Sequence, residues 1–481
     1  MQKLGIAILA LGSLVAGSAM AADMALKAPA PAAAVYSWTG FYIGGGGGYG
    51  MWSGDTTTVD PVTGRCALCA TQTQGGRGGF GTVYGGYDYQ FASRFVAGVF
   101  ADGDFGDISG TLQDQDPFFA GTLSLRNSWA VGARLGYLLT PSIMTYVNAG
   151  YTNASFSGVN MFDTRTSIAS VFSTPSFRRD GWFVGGGAEM MVAPSWILKA
   201  EYRLADYGRQ TLADTSPPAA SIVENSITIH PYVQTFRTGL AYKFNTPGGA
   251  SFAEPLPAPV NWTGVYLAGG GGYGMWAANT TTVAAPGQLC FACLPFPQTQ
   301  GGRGAFGTVG FGYDYQFNDR FVAGVLADAD FGDIHGTIQD QQPFFGGRIA
   351  LRQAYAVGAR LGYLPTSSVM AFVSGGYASA TFSGAAMNST FNNATTGSVT
   401  DGFTRDGWFV GGGAETSILP NVFAKMEYRY ADYGSTTLAD HPVSGLGGAQ
   451  NSITFHPVVQ TVRTTLSYKF NWGSAPVVAK Y

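Results

Sequence analysis

From Trp196 onward the side chains alternate: Trp196, Leu198, Ala200, Tyr202 and Leu204 fall on one face, and Lys199, Glu201 and Arg203 on the other. Val422, Ala424, Met426, Tyr428 and Tyr430 repeat the pattern against Lys425, Glu427 and Arg429. Period two with one apolar and one charged face predicts a strand between two contrasting environments. The first half of the chain predicts eight such strands, near residues 39–52, 77–91, 94–107, 124–138, 142–157, 178–192, 195–207 and 232–244. Each is long enough to cross a bilayer as a tilted strand, which takes about 9–11 residues. Tight turns at 92–93, 139–141 and 193–194 alternate with long loops at 53–76, 108–123, 158–177 and 208–231. Short turns at one end and long loops at the other predict an all-β fold, an antiparallel transmembrane β-barrel. An even strand number returns both chain ends to the short-turn, periplasmic side.

The two faces carry the chemistry such a barrel requires. One collects Val83, Tyr89, Phe95, Val99, Trp129, Leu135, Val147, Trp182, Phe236, Leu240 and Phe244, with aromatics near strand ends as interface girdles. The other collects Asp88, Asp102, Asp104, Glu189 and Glu201 with Arg126, Arg134, Lys199, Arg203, Arg237 and Lys243. In the second half the same face holds Asp328, Asp330, Arg360, Glu415, Lys425, Glu427, Arg429 and Arg463. A soluble sandwich would bury the apolar face and wet the polar one. The hairpin asymmetry favours the reverse. An eight-stranded interior is just wide enough for side chains to fill, and a buried charge must be paired. The expected result is an ion-pair network that plugs the lumen. Glycine runs at 44–48 and 185–187 leave room for long inward side chains from neighbouring strands. No helical period follows them, which removes a phosphate-cradling reading.

The chain carries this pattern twice. Trp38-Thr39-Gly40-Phe41-Tyr42 returns as Trp262-Thr263-Gly264-Val265-Tyr266, and Asp180 through Glu189 return unchanged as Asp406 through Glu415. The offset is 224 residues as far as the cysteines and 226 beyond them. Barrel copies are expected at 38–244 and 262–470, joined by a proline-rich linker at 245–261 and followed by a tail at 471–481. Two separate eight-stranded barrels are expected, since each copy has a full strand set and its own Thr-x-Leu-x-Tyr-Lys-Phe strand. One sixteen-stranded barrel with an aqueous channel is the alternative.

Composition narrows the class. Of 481 residues, 11% are charged, 14% are aromatic and 70 are glycine, which argues for a folded chain. A net charge of −3 offers nothing to nucleic acid. Met1 to Ala21 reads as a secretory signal, with Lys3, an apolar stretch from Leu4 to Val15 and a small-residue cleavage site, ahead of a periplasmic segment at 22–37. No later run approaches 18 uninterrupted apolar residues, so an exported chain without a membrane helix is expected.

The segment Tyr36-x-Trp38-Thr39-Gly40-Phe41-Tyr42-Ile43-Gly44 resembles the start of the small outer-membrane immunogenic, or porin-like, proteins of Gram-negative bacteria. So do Gly132-Ala133-Arg134-Leu135-Gly136-Tyr137, Glu201-Tyr202-Arg203 through Asp206-Tyr207-Gly208, and Arg237 through Phe244. The likeness recurs at 262–270, 358–363, 427–434 and 463–470. It implies an OmpA-like eight-stranded barrel in the outer membrane, with no known catalytic residues and no cofactor. The family serves envelope integrity, surface exposure and sometimes solute passage. Its implied partners are outer-membrane lipid and the assembly machinery that reads the last strand; no surface ligand is identified. Two departures stand out: family members resemble a single copy, and this chain continues past Phe470 to Tyr481, so either residue could carry the assembly signal.

Candidate chemistry is sparse. Cys66 and Cys69, and Cys290 and Cys293, lie in the first long loop of each copy; an oxidising compartment favours a local disulfide in each. No redox βαβ context surrounds them, and zinc would need two further ligands. His230 and His456 occupy equivalent positions and read as exposed rim residues, while His335 and His441 have no histidine counterparts. Asp102 with Asp104, and Asp328 with Asp330, could serve acid–base work but face too many arginines and read as ion-pair partners. The leading expectation is a non-enzymatic structural or surface-exposed envelope protein. A passive porin and, more remotely, a lipid-modifying enzyme are the alternatives.

Overall fold

Long strands dominate because the sequence alternates and almost nowhere keeps helical period. The computed structural model describes residues 37–61, 68–114, 119–164, 168–215, 223–245, 260–283, 297–340, 345–389, 394–442 and 451–470. The first half contains β1 (Gly40–Val59), β2 (Leu68–Gln90), β3 (Phe95–Asp114), β4 (Phe119–Thr140), β5 (Ile143–Phe156), β6 (Val159–Asp163), β7 (Ala169–Thr174), β8 (Phe177–Ala193), β9 (Trp196–Asp206), β10 (Gln210–Thr215) and β11 (Val223–Asn245). The second contains β12 (Gly264–Val283), β13 (Gln298–Gln316), β14 (Phe321–Asp340), β15 (Phe345–Thr366), β16 (Val369–Phe382), β17 (Ala385–Ser389), β18 (Thr395–Thr400), β19 (Phe403–Leu419), β20 (Val422–Asp432), β21 (Thr436–Pro442) and β22 (Ser452–Phe470).

Eight antiparallel strands close each half. In the first, β1, β2, β3, β4, β5, β8, β9 and β11 pair in turn, and β11 returns to β1 in a ladder that sets Phe41 opposite Phe244. In the second, β22 returns to β12, with Val265 opposite Phe470. There are therefore two eight-stranded barrels, and the sixteen-strand closure is overturned. The short strands β6, β7 and β10 bridge from β4 to β11 at the long-loop end and continue the wall there.

The strands run further outward than alternation predicts. β1 reaches Val59 and β11 starts at Val223, inside segments read as loops. The reason is an inversion along one strand. In the lower part of β11, Arg237 and Lys243 point inward and are buried, while Leu240, Tyr242 and Phe244 point outward and are exposed. Higher up, the inward residues are Ile227, Ile229 and Val233, all buried, and the outward ones are Thr228 and His230. Outside the lipid the surroundings are water, so the barrel has an ordinary apolar core, built from Phe156, Phe177, Leu123, Met161, Leu212 and their neighbours.

One orientation expectation fails, and one expectation of exposure fails beside it. Arg126 is not inside: it is 55% exposed and pairs with Asp107 at 3.5 Å. The β4–β5 register shifts between Leu125 and Asn127, and this bulge turns its side chain out. Phe236 and Tyr202 do face outward, but neither is open to lipid; Phe236 stacks on Tyr428 of the other barrel at 4.3 Å. The glycine run has a steric reason, since a Cβ on Gly44 would lie 2.7 Å from the Tyr84 ring inside the barrel.

Candidate functional site: the barrel interiors

Inward alternation on eight strands stacks the charged side chains in tiers along each axis. At the short-turn end Trp38 fills the mouth, fully buried, its indole N–H donating to the Pro141 carbonyl at 2.9 Å. Trp262 does the same through the Ser367 carbonyl at 2.9 Å. Above Trp38, Arg134 grips Asp88 with two hydrogen bonds, at 2.9 and 2.7 Å, and reaches Glu189 at 2.6 Å. Lys243 donates to the same Asp88 carboxylate at 2.6 Å. Forked guanidinium–carboxylate pairs of this kind are the stronger hydrogen bonds of proteins.

The middle tier centres on Glu201. Lys199 pairs with it at 2.9 Å, and Tyr146 and Asn148 each donate to its Oε2 at 2.9 Å. Arg203 links this tier upward, bonding Glu201 at 2.9 Å and Asp102 at 3.0 and 2.7 Å. Arg237 then joins Asp102 at 3.3 Å to Asp104 at 3.0 Å. The second barrel repeats the set. Arg360 binds Asp314 at 2.8 Å and Glu415 at 2.8 Å, and Lys469 binds Asp314 at 2.7 Å. Lys425 pairs with Glu427 at 3.1 Å, Arg429 with Asp328 at 2.7 Å, and Arg463 with both Asp328 at 3.0 Å and Asp330 at 2.9 Å. Among the described residues the first lumen thus brings together Asp88, Asp102, Asp104, Glu189 and Glu201 with Arg134, Lys199, Arg203, Arg237 and Lys243, a balance of charge.

Little space remains between the tiers. A void of about 20 Å³, roughly one water molecule, lies beside Asp104, Arg203 and Arg237. Another of about 20 Å³ lies beside Asp330, Arg429 and Arg463. Aromatic rings line the same space: the Arg203 guanidinium sits 4.1 Å over Phe183 and the Arg134 guanidinium 4.6 Å over Tyr42. Sequence reasoning placed aromatics outside and missed these inner rings, along with Trp38. The even-numbered alternation of Trp38, Gly40 and Tyr42 could have found the first and last of these.

His230 and His456 are half-buried rather than exposed. Each ring bonds a carboxylate, Asp206 at 2.7 Å and Asp432 at 2.8 Å. Asp206 also accepts from the Gly208 N–H at 2.8 Å, and Gly208 takes a φ of 63° that favours glycine, so Asp-Tyr-Gly is a turn locked from two sides. His335 and His441 lie beside Asp333 and Asp401 at the outer rim. Cys66, Cys290 and Cys293 lie outside the described residues, as do the Cys69 side chain, the signal segment 1–21 and Tyr481. Among the described residues no group of three or more His, Cys, Asp or Glu is placed to hold a metal ion.

Beyond the girdle formed by Trp129, Tyr151 and Trp182, Asp114 and Asp214 are buried close together, and Asn225 donates to Asp114 at 2.9 Å. Burial pushes the Asp214 carboxyl up to about 6, against a hydrogen bond with Asp114 that lowers it. The folded chain therefore keeps this proton to a higher pH than the unfolded chain, which releases it near 4. The stability it brings is complete below about pH 4 and is lost as the pH rises through about 6. Protease cutting of the outer β10–β11 wall is expected to quicken across that window in the native chain and to stay flat in Asp214→Asn, as pH-stepped proteolysis would measure. The equivalent Asp440 is shifted upward for the same reason.

Known proteins share this architecture in sequence. The model of the outer membrane protein beta-barrel domain matches twice, at residues 11–244 and 250–470. The 31 kDa outer-membrane immunogenic protein of Brucella melitensis is 32% identical over 248 residues, 49% of this chain and 97% of that protein. The 25 kDa outer-membrane immunogenic protein of the same organism is 28% identical over 224 residues, 46% of this chain and 85% of that protein. Among solved structures, the outer membrane protein OprG from Pseudomonas aeruginosa aligns over 44% of this chain and 99% of its own, at 14% identity and a TM-score of 0.28. Each curated relative spans about half of the chain, as a tandem duplication requires. The chain belongs to the outer membrane protein beta-barrel domain family, carries that domain twice, and is an outer-membrane protein.

Proposed function

We propose that the chain is a structural, surface-exposed component of the outer membrane, a pair of barrels whose lumens are closed to solutes. The carrying observation is the interlocked ion-pair ladder, which leaves about 20 Å³ beside Asp104 and Arg237. A hydrated ion needs a continuous path many waters wide, and opening one here would break several buried charge pairs at several kcal/mol each. Trp38 and Trp262 close the periplasmic mouths, and the apolar cores around Ile227 and Phe156 in one barrel and Ile453 and Phe382 in the other close the outer ends. No catalysis is assigned: each histidine of the equivalent pair already serves a turn-forming aspartate. The strand ending at Phe470 supplies the aromatic edge for assembly into lipid, and the disulfides expected at Cys66–Cys69 and Cys290–Cys293 would stiffen the outer loops.

Planar-bilayer recording of the purified chain tests the closed lumen. Silent membranes, or rare picosiemens events, are expected. A steady nanosiemens conductance would overturn the reading in favour of a passive porin.

A further inference from the structure

The two barrels meet through one face, and the meeting is reciprocal. With the offsets of 224 and 226 residues, Thr73 corresponds to Thr299 and Thr111 to Thr337. The Thr73 N–H donates to Thr337 Oγ1 at 2.7 Å, and the Thr299 N–H donates to Thr111 Oγ1 at 2.8 Å. Gln74 lies opposite its own counterpart Gln300 across a strand bridge, and Gln234 donates to its counterpart Gln460. Arg77 bonds the Ala277 carbonyl at 2.9 Å, while Arg303 bonds Ser53, the counterpart of Ala277, at 3.2 Å. Residue i meets j and the copy of j meets the copy of i, which defines an isologous two-fold interface. Met51 and its counterpart Met275 both point outward and both are fully covered.

At the axis the backbones nearly touch. A Cβ on Gly75 would lie 3.0 Å from the Gly301 Cα, and one on Gly301 would lie 3.1 Å from the Gly75 Cα. Neither position tolerates a side chain without moving the barrels apart. A tether between two unrelated surfaces would give no reason for equivalent residues to find one another.

We infer that the chain is a covalently joined two-fold dimer, that this face rather than segment 245–261 holds the barrels together, and that the partner the face fits is another barrel of the same kind. Some contacts distinguish the copies: Phe236 stacks on Tyr428, whereas Val462 and Tyr202 occupy the equivalent positions. Arg303 pairs with Asp55 at 2.6 Å and lies 4.0 Å over the Tyr232 ring, whereas Asn279 and Val458 occupy the positions equivalent to Asp55 and Tyr232. The inference is independent of whether the lumens conduct.

The test cuts the tether. A protease site placed within 245–261 of the full chain, with a tag on one half, allows cleavage after membrane insertion and capture in mild detergent. The cut halves are expected to co-purify near one to one. Gly75→Trp with Gly301→Trp is expected to lower co-purification at least tenfold while each half stays protease-resistant as a folded barrel. Arg303→Ala with Asp55→Ala leaves the backbone approach untouched, is expected to lower it several-fold, and decides the matter should the tryptophan pair prevent folding. Separation of the unsubstituted halves on cutting, or retention of both substituted pairs at the unsubstituted level, would overturn the inference.

Discussion

Arg134→Ala is expected to destabilise the first barrel by about 3–5 kcal/mol, the range for breaking a buried ion pair from one side. Arg134 is almost wholly enclosed, and its guanidinium holds Asp88 and Glu189 together. Its removal leaves two carboxylates facing one ammonium, Lys243, and water entering the vacated space supplies no positive charge. The comparison that isolates charge from packing is Arg134→Met with Glu189→Gln. That double change leaves Asp88 and Lys243 as a balanced pair and fills the vacated stem volume, so its cost is expected to fall well below that of Arg134→Ala alone. Urea unfolding of the chain refolded into lipid vesicles would measure both. Equal losses for the single and double substitutions would mean that shape rather than charge balance governs this tier. Arg360→Ala in the second barrel is expected to reproduce the effect, because Asp314, Glu415 and Lys469 surround it in the same geometry.

How much of this was legible beforehand varies with the solvent on each side of the wall. In the lipid-crossing part of the strands, alternation alone orients Leu198 outward and Glu201 inward, because oil and ion pairs impose opposite demands on adjacent residues. Beyond the girdle that contrast disappears: water wets the outside and an apolar core fills the inside, so Ile227 and Ile229 alternate with Thr228 and His230 in the sense of any soluble strand. The switch occurs inside one uninterrupted strand, and no local period marks it. Arg126 shows a second limit, since a single bulge reverses inward and outward while leaving composition unchanged. Phe236 shows a third. Its alternation correctly turns it away from the lumen, yet what covers it is Tyr428, a residue 192 positions along the chain by subtraction. The tiers themselves could be expected from charge balance, but which acid meets which base depends on strand stagger. Arg203 reaching Asp102 from across the barrel is fixed by that stagger and not by spacing.

Val147→Arg is expected to cost about 2–4 kcal/mol, the penalty for an arginine on the lipid face of a barrel near the bilayer midplane. Val147 is 64% exposed and lies between the lower ring at Tyr137 and the upper ring at Tyr151. On a protein surrounded by water, an exposed valine replaced by arginine would change stability by no more than about 0.5 kcal/mol. The same substitution therefore separates the two orientations of the wall by its size alone. Val373→Arg, at the equivalent position of the second barrel and 63% exposed, is expected to carry the same penalty. The two sites share no partners, so their losses should add. Thr228→Arg supplies the internal control: it also faces outward, but on the watery stretch of β11, and is expected to be nearly neutral. Unfolding titrations of the three variants in vesicles would measure the gradient. A flat profile, with Val147→Arg no worse than Thr228→Arg, would place water rather than lipid around the lower wall, and the ion-pair tiers inside it would then need another explanation.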